Sequence, residues 1–138
     1  MIIPFINLSG QASDAISFYE SVFDICDKQV MYFKDSSNPG HAMPEYMDNY
    51  VLHAEMTMNG TRVWIGDTPS EVASGDMVSL AVNLASEADM YHVFIRLKTG
   101  GKVLMNLSSQ FYSPLSGMVE DKFGVIWYLI YQGDESSV

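Results

Sequence analysis

Apolar and polar positions along this chain switch repeatedly between a period of two and a period near 3.6, and the switches mark its elements. Residues 2–8 form a short apolar run with β-branched members, stopped by Ser9-Gly10, and predict a strand. A helix follows, with Ser13 as N-cap and Asp14 in its first turn. Ala15, Ile16, Tyr19, Val22 and Phe23 recur at helical spacing and would face a core. Residues 28–34 alternate as a second strand. Residues 35–49, which hold Asn38-Pro39-Gly40 and Pro44, predict a loop. Residues 50–58 then read as a strand with two unlike faces: Leu52, Ala54, Met56 and Met58 on one, His53, Glu55 and Thr57 on the other. Asn59-Gly60 is a strong hairpin signal, and residues 61–67 predict its second strand.

After a Pro-, Gly- and Ser-containing linker at residues 68–76 the pattern starts again. Residues 78–84 predict a strand. Ser86 and Asp89 form a capping-box arrangement ahead of a helix that stops at Gly100-Gly101, with Tyr91, Phe94, Ile95 and Leu97 on its apolar face. Residues 102–107, 111–120 and 125–132 supply three more extended segments, the middle one made irregular by Pro114. The order is strand, helix, strand, strand, strand, and it occurs twice, which is an architectural signal in itself. The expected fold class is α+β, a duplicated β-α-β-β-β plan. Residues 1–138 would form a single domain, with module one at 1–69 and module two at 76–138.

Composition narrows the function classes. With 48% hydrophobic and 12% aromatic residues in 138, a core needs neither disulfides nor a structural metal. Seven Lys and Arg against 17 Asp and Glu leave a formal charge of −10. Nucleic acid and anionic membrane surfaces are both recognised by clustered cations, so neither is an expected partner. The one cysteine, Cys26, cannot form an intramolecular disulfide. Met1-Ile2-Ile3-Pro4 lacks the basic start of a secretory signal. No apolar run reaches the ~18 residues of a membrane span. A cytoplasmic location is therefore expected.

Phe18-Tyr19-Glu20-Ser21-Val22-Phe23 resembles the F-Y-x-x-V-F helix of the vicinal-oxygen-chelate superfamily, which includes glyoxalase I and the bleomycin-resistance proteins. Three further segments are similar to its PhnB-like branch: His53-Ala54-Glu55-Met56, Gly100-Gly101-Lys102-Val103-Leu104-Met105, and the run from Gly117 through Asp121-Lys122-Phe123-Gly124 to Trp127. The resemblance covers nearly the whole chain in order. It implies two β-α-β-β-β modules forming a cup-shaped half-barrel, the glyoxalase/bleomycin-resistance-like fold, commonly in a homodimer. Branch members carry names from a demethylubiquinone methyltransferase or from phosphonate metabolism. No Gly-rich strand-to-helix turn of the kind that binds a nucleotide-like methyl donor is present here. Fold alone does not carry chemistry.

Metal-dependent members of the superfamily place a His or Glu on the first and last strands of each module. The matching positions in this chain are Pro4 or Phe5, Ile65, Ser79 and Tyr128, which make no transition-metal set. The resemblance therefore implies no metal and no other cofactor. His53 and Glu55 are the best polar pair, two apart on a strand and so on one face. They are either a ligand anchor and candidate catalytic pair or a structural polar strip. Asp67 is a third candidate, or the start of the turn before Pro69. His41, His92 and Cys26 are read as ordinary residues, and Ser116-Gly117 lacks a nucleophile context. Trp64 and Trp127 read as core or interface aromatics. The ten methionines, Met43, Met47, Met56 and Met58 among them, read as gap fillers.

The function expected is non-metal binding of a small, largely apolar organic molecule, with Val63, Ile65, Ala81, Ile126 and Tyr128 as walls and His53, Glu55, Asp67 and Asn83 as polar anchors. The alternative is an enzyme of lyase, isomerase or dioxygenase type using His53 and Glu55, with a weakly held divalent metal. Apolar sheet faces and an acidic exterior also predict a two-fold homodimer. Size-exclusion chromatography with light scattering should then give about twice the chain mass. A clean monomer at micromolar concentration would overturn that expectation.

Overall fold

The computed structural model describes residues 1–35 and 44–133. The chain divides into two compact units, Met1–Ala73 and Ser74–Val138.

The first unit runs β1 (Phe5–Leu8), α1 (Ala12–Val22), β2 (Ile25–Tyr32), β3 (Val51–Met58) and β4 (Thr61–Asp67), with short 3-10 turns at Phe33–Asp35 and Glu45–Met47. Its sheet order is β1-β4-β3-β2, parallel between β1 and β4 and antiparallel elsewhere. Asn59 and Gly60 both take positive φ, 45° and 87°, as the expected two-residue hairpin requires. The β3–β4 register then follows residue by residue, Met58 opposite Thr61, Met56 opposite Val63 and Ala54 opposite Ile65. Those apolar residues are buried on the sheet face that α1 covers with Ala12, Ala15, Ile16, Tyr19 and Val22.

Three sequence expectations shift here. β2 begins at Ile25, three residues before the predicted start, because a register irregularity between Cys26 and Gln29 carries Asp27 at φ 52°. Leu52 does not join the apolar face. It is 39% exposed and Val51 is fully buried, since the β2–β3 register slips between Met31 and Tyr32. Ser13 is not the N-cap. The helix starts at Ala12 and its first amides are satisfied from far away: Asp67 Oδ1 accepts from the backbone N–H of Gly10 (2.8 Å) and Ala12 (3.0 Å). Asp67 Oδ2 accepts from Val51 N–H at 2.8 Å, so one buried carboxylate ties the end of β4 to the starts of α1 and β3. His41, Met43 and Asn38-Pro39-Gly40 lie outside the described residues.

The second unit repeats the plan: β5 (Leu80–Asn83), α2 (Glu87–Lys98), β6 (Lys102–Gln110), β7 (Ser113–Glu120) and β8 (Ile126–Tyr131), in the order β5-β8-β7-β6. Ser86 Oγ accepts from Asp89 N–H at 3.1 Å, the predicted cap of α2. The buried stripe of α2 is Met90, Val93, Phe94 and Leu97. Tyr91 and Ile95, expected on that stripe, are 50% and 53% exposed, because Met90 and Val93 centre the helical face one position away from them. Gly101 follows α2 where a Cβ would stand 2.3 Å from Glu120 O, so the β6–β7 pairing begins only because that side chain is missing. Asp121 takes the turn into β8: Oδ1 accepts from Phe123 and Val125 N–H, and Oδ2 from the buried Trp127 Nε1–H at 2.8 Å.

Replacing Asp67 by Ala strands two or three buried N–H groups, each costing about 1–3 kcal/mol. The expected loss of stability is about 3 kcal/mol, read as a lower urea midpoint at unchanged m-value, with Asp67→Asn recovering part of it.

Candidate functional site

The register that buries Ala54, Met56, Val63 and Ile65 sends their neighbours to the opposite face. Glu55 pairs with Trp64, and Thr57 with Arg62. Phe5 of β1 joins through its pairing with Trp64, and Met31 of β2 through its pairing with His53. Gly66 completes the surface by absence: a Cβ there would lie 3.4 Å from the Phe5 ring and 3.2 Å from Leu52 O. A side chain there would press on the Leu52 carbonyl and pack against the Phe5 ring.

Two sets of contacts organise this face. The rings of Phe5, His53 and Trp64 meet one another edge to face, with centroids 4.8 Å apart for His53–Trp64, 5.7 Å for Phe5–Trp64 and 5.8 Å for Phe5–His53. Beside them runs a polar chain. His53 Nε2 lies 3.1 Å from Glu55 Oε1, and Arg62 donates through Nη2 to Glu55 Oε2 at 3.0 Å. Arg62 Nη1 donates to the Asp27 carbonyl at 3.0 Å, with Thr57 Oγ1 at 3.4 Å. The left-handed backbone at Asp27 thus aims its carbonyl where the guanidinium uses it.

Electrostatics set the charge state of Glu55. The hydrogen bond from Arg62, and then that from His53, hold the Glu55 carboxyl below the usual carboxylate range against a smaller opposing effect of desolvation. An ionised carboxylate only accepts, so His53 donates to it from Nε2, and in the uncharged imidazole that tautomer leaves Nδ1 as an acceptor. Nδ1 has no hydrogen-bond partner among the described residues. The face therefore offers a ring-lined apolar wall next to one oriented imidazole acceptor. All three polar side chains are about one-third exposed, so a ligand can reach them.

The other sequence candidates divide. Val63 and Ile65 are buried on the helix-covered face and cannot line a site that contains His53 and Glu55. The strand's period of two decides this. Asp67 is consumed by three backbone amides rather than offered to a ligand. In the second unit, Ala81 pairs directly with Tyr128, and Asn83 and Ile126 fall on the same face. Asn83 Nδ2 donates to Gln132 Oε1 at 3.3 Å, and Ile126 is buried. Phe5, Arg62 and Trp64 were missing from the expected binding set. The two-residue turn was the signal that could have found Arg62 and Trp64, since counting outward from Asn59-Gly60 puts them opposite Thr57 and Glu55.

A divalent cation does not fit this face. Ile65, the superfamily position assigned to β4, points into the core, and its open-face neighbour is Trp64. His53 and Glu55 supply donors, but the second oxygen of Glu55 already holds a guanidinium. No group of three His, Cys, Asp or Glu side chains suited to a metal occurs among the described residues. Elsewhere on the unit a hollow of about 540 Å³ lies at the start of α1 between Tyr32, Tyr46 and Tyr50, with none of the expected binding residues in its lining.

Comparison with known proteins places the chain. The family model described as 3-demethylubiquinone-9 3-methyltransferase matches residues 1–130. Protein YjdN of Escherichia coli K12 is 25% identical over 137 residues, spanning 91% of each chain. A putative 3-demethylubiquinone-9 3-methyltransferase, PhnB protein, from Bacillus cereus is 29% identical at a TM-score of 0.75, covering 94% of this chain and 98% of its own. Protein PA1353 from Pseudomonas aeruginosa is 25% identical at a TM-score of 0.83, with 97% and 98% covered.

The depressed Glu55 carboxyl gives a titration test. Its contribution to stability is fully present above the ordinary carboxylate range and is lost as pH falls through its folded-state value. Side-chain carboxyl NMR should show Glu55 titrating below ordinary glutamates, and Arg62→Ala should move it back up. An unchanged Glu55 titration in that variant would show that Arg62 does not hold the pair.

Proposed function

The chain belongs to the family described as 3-demethylubiquinone-9 3-methyltransferase, in the PhnB-like branch of the vicinal-oxygen-chelate superfamily, and on that premise we propose that it binds a small organic molecule without a metal. The carrying observation is the open face of the first unit, where Phe5, Trp64 and His53 form an apolar wall around one oriented imidazole nitrogen. Apolar walls with a few placed polar groups are the usual composition of small-molecule sites. The ligand this favours has a flat apolar part that packs on the rings and an O–H or N–H that donates to His53 Nδ1. Glu55 and Arg62 act behind it, fixing the imidazole's tautomer and tilt. Binding takes place in the cytoplasm, in a homodimer. The absence of a membrane-crossing helix among the described residues is compatible with that setting.

The methyl donor that the family description implies does not fit. The amides at the start of α1 that would face an anionic group are taken by Asp67. The space above Gly10 is filled by the Tyr50 ring, which a Cβ there would approach to 2.8 Å. Neither mixed sheet provides the parallel switch point at which such nucleotides bind.

A second reading rests on the His53–Glu55 hydrogen bond. A carboxylate-oriented imidazole with a free nitrogen is the arrangement of a general base, which supports a lyase or isomerase acting on the same ligand.

Native mass spectrometry of protein purified from its host should retain a small molecule. The double variant His53→Gln, Glu55→Gln should weaken binding of that molecule by roughly tenfold at an unchanged melting temperature. Intact binding together with a lowered melting temperature would make the pair structural and end this reading. Turnover of the ligand that His53→Gln abolishes would favour the enzyme.

A further inference from the structure

Three tyrosines line the hollow of about 540 Å³ at the start of α1. Tyr32 ends β2, Tyr46 lies in the second 3-10 turn, and Tyr50 immediately precedes β3. Backbone hydrogen bonds hold the last two in place: Tyr50 N–H donates to Met47 O at 2.9 Å, and Phe33 N–H to Tyr50 O at 2.8 Å. The Tyr50 ring is fixed further by Gly10, where a Cβ would lie 2.8 Å from it, and by an edge-to-face contact with Phe33. Tyr46 is 70% exposed. Its ring stands at 80° to that of Tyr50 with centroids 6.3 Å apart, so the two faces make a corner.

The charges around this corner are mostly negative. Asp14, on the first turn of α1, lines the hollow and makes no ion pair among the described residues. Asp35, Glu45 and Asp48 flank the lining residues in sequence. Lys34 is the single cation in the lining, and its ammonium lies 5.7 Å from the centroid of the Tyr32 ring. The positive end of α1 does not turn the hollow into an anion site. Asp67 takes the Gly10 and Ala12 amides, and Asp14 itself sits on the first turn.

We infer that this hollow binds a small organic cation, an alkylated ammonium group that packs into the Tyr46–Tyr50 corner with Asp14 as its counter-charge. Aromatic faces attract cations through the ring quadrupole, and quaternary ammonium groups are the ligands that rings set at angles suit best. Lys34 over Tyr32 is the same attraction made within the chain. The volume is that of ordinary small-molecule sites. An anion is a poorer match, since it would meet the negative ring faces and Asp14 with Lys34 as its one support. The site shares no residue with the face that carries His53, so it does not rest on the function proposed for that face.

The probe is choline, with its uncharged carbon isostere 3,3-dimethyl-1-butanol as control. Titrated with the full chain at low ionic strength, the choline methyl resonance should shift upfield through the tyrosine ring currents and saturate. The isostere should show no saturable shift. Tyr46→Leu should weaken choline binding roughly fivefold, while Tyr46→Phe, which keeps the ring, should retain it. Asp14→Asn should weaken it too. Lys34→Met, which removes the resident cation, should tighten it. Tyr46 and Asp14 are both exposed, so these variants leave the core untouched. Absence of a saturable choline shift, equal binding of the isostere, indifference to Tyr46→Leu, weaker binding in Lys34→Met, or displacement of choline by acetate would each overturn the proposal.

Discussion

The two-residue turn at Asn59-Gly60 is the constraint on which the first unit's chemistry depends. Both residues sit at positive φ, which only a short list of residue types accepts without cost. That turn locks β3 to β4 in one register, and the register sorts eight side chains between a dry face and an open one. A slip of one residue in β3 would bury His53 and Glu55 under α1 and expose Ala54 and Met56. The hydrophobic pattern and the turn therefore enforce the same answer, and the polar chain from His53 to Arg62 is a consequence of both.

Acidic residues in this chain do two unlike jobs. Asp67 and Asp121 are buried and spend their oxygens on amides and one indole N–H, stitching strand ends to the segments that follow. Glu55 is partly exposed and works between a guanidinium and an imidazole. Burial separates the two roles, because a buried carboxylate persists only with its acceptor sites filled. An acidic residue at a strand end near a tight turn thus belongs to the architecture even when spacing makes it look like part of a site.

The two units repeat one plan, yet their open faces carry different chemistry. One has an imidazole–carboxylate–guanidinium chain against aromatic rings, and the other joins the hydroxyls of Tyr112 and Tyr128. Duplication keeps the order of elements, the strand pairing and a buried helical stripe in both units. It leaves the open-face positions free to diverge. This is how one fold family accommodates unrelated activities, and why its name transfers so little chemistry.

The order of elements, the duplication, the Ser86 cap and the hairpin at Asn59-Gly60 were legible in the sequence because each depends on residues within a few positions of one another. His53 and Glu55 were legible as a pair for the same reason, being two apart on one strand. Tertiary structure decided the rest. It put Val63 and Ile65 on the covered face, gave Asp67 to amides 16 to 57 residues away, and exposed Leu52 through a slip in its pairing with a distant strand. It brought Arg62 to Glu55, and Phe5 to Trp64 across a parallel pairing that no turn announces. Periodicity gives a strand two faces, but which face is covered and which partner lies opposite are set by long-range contacts that local pattern does not encode.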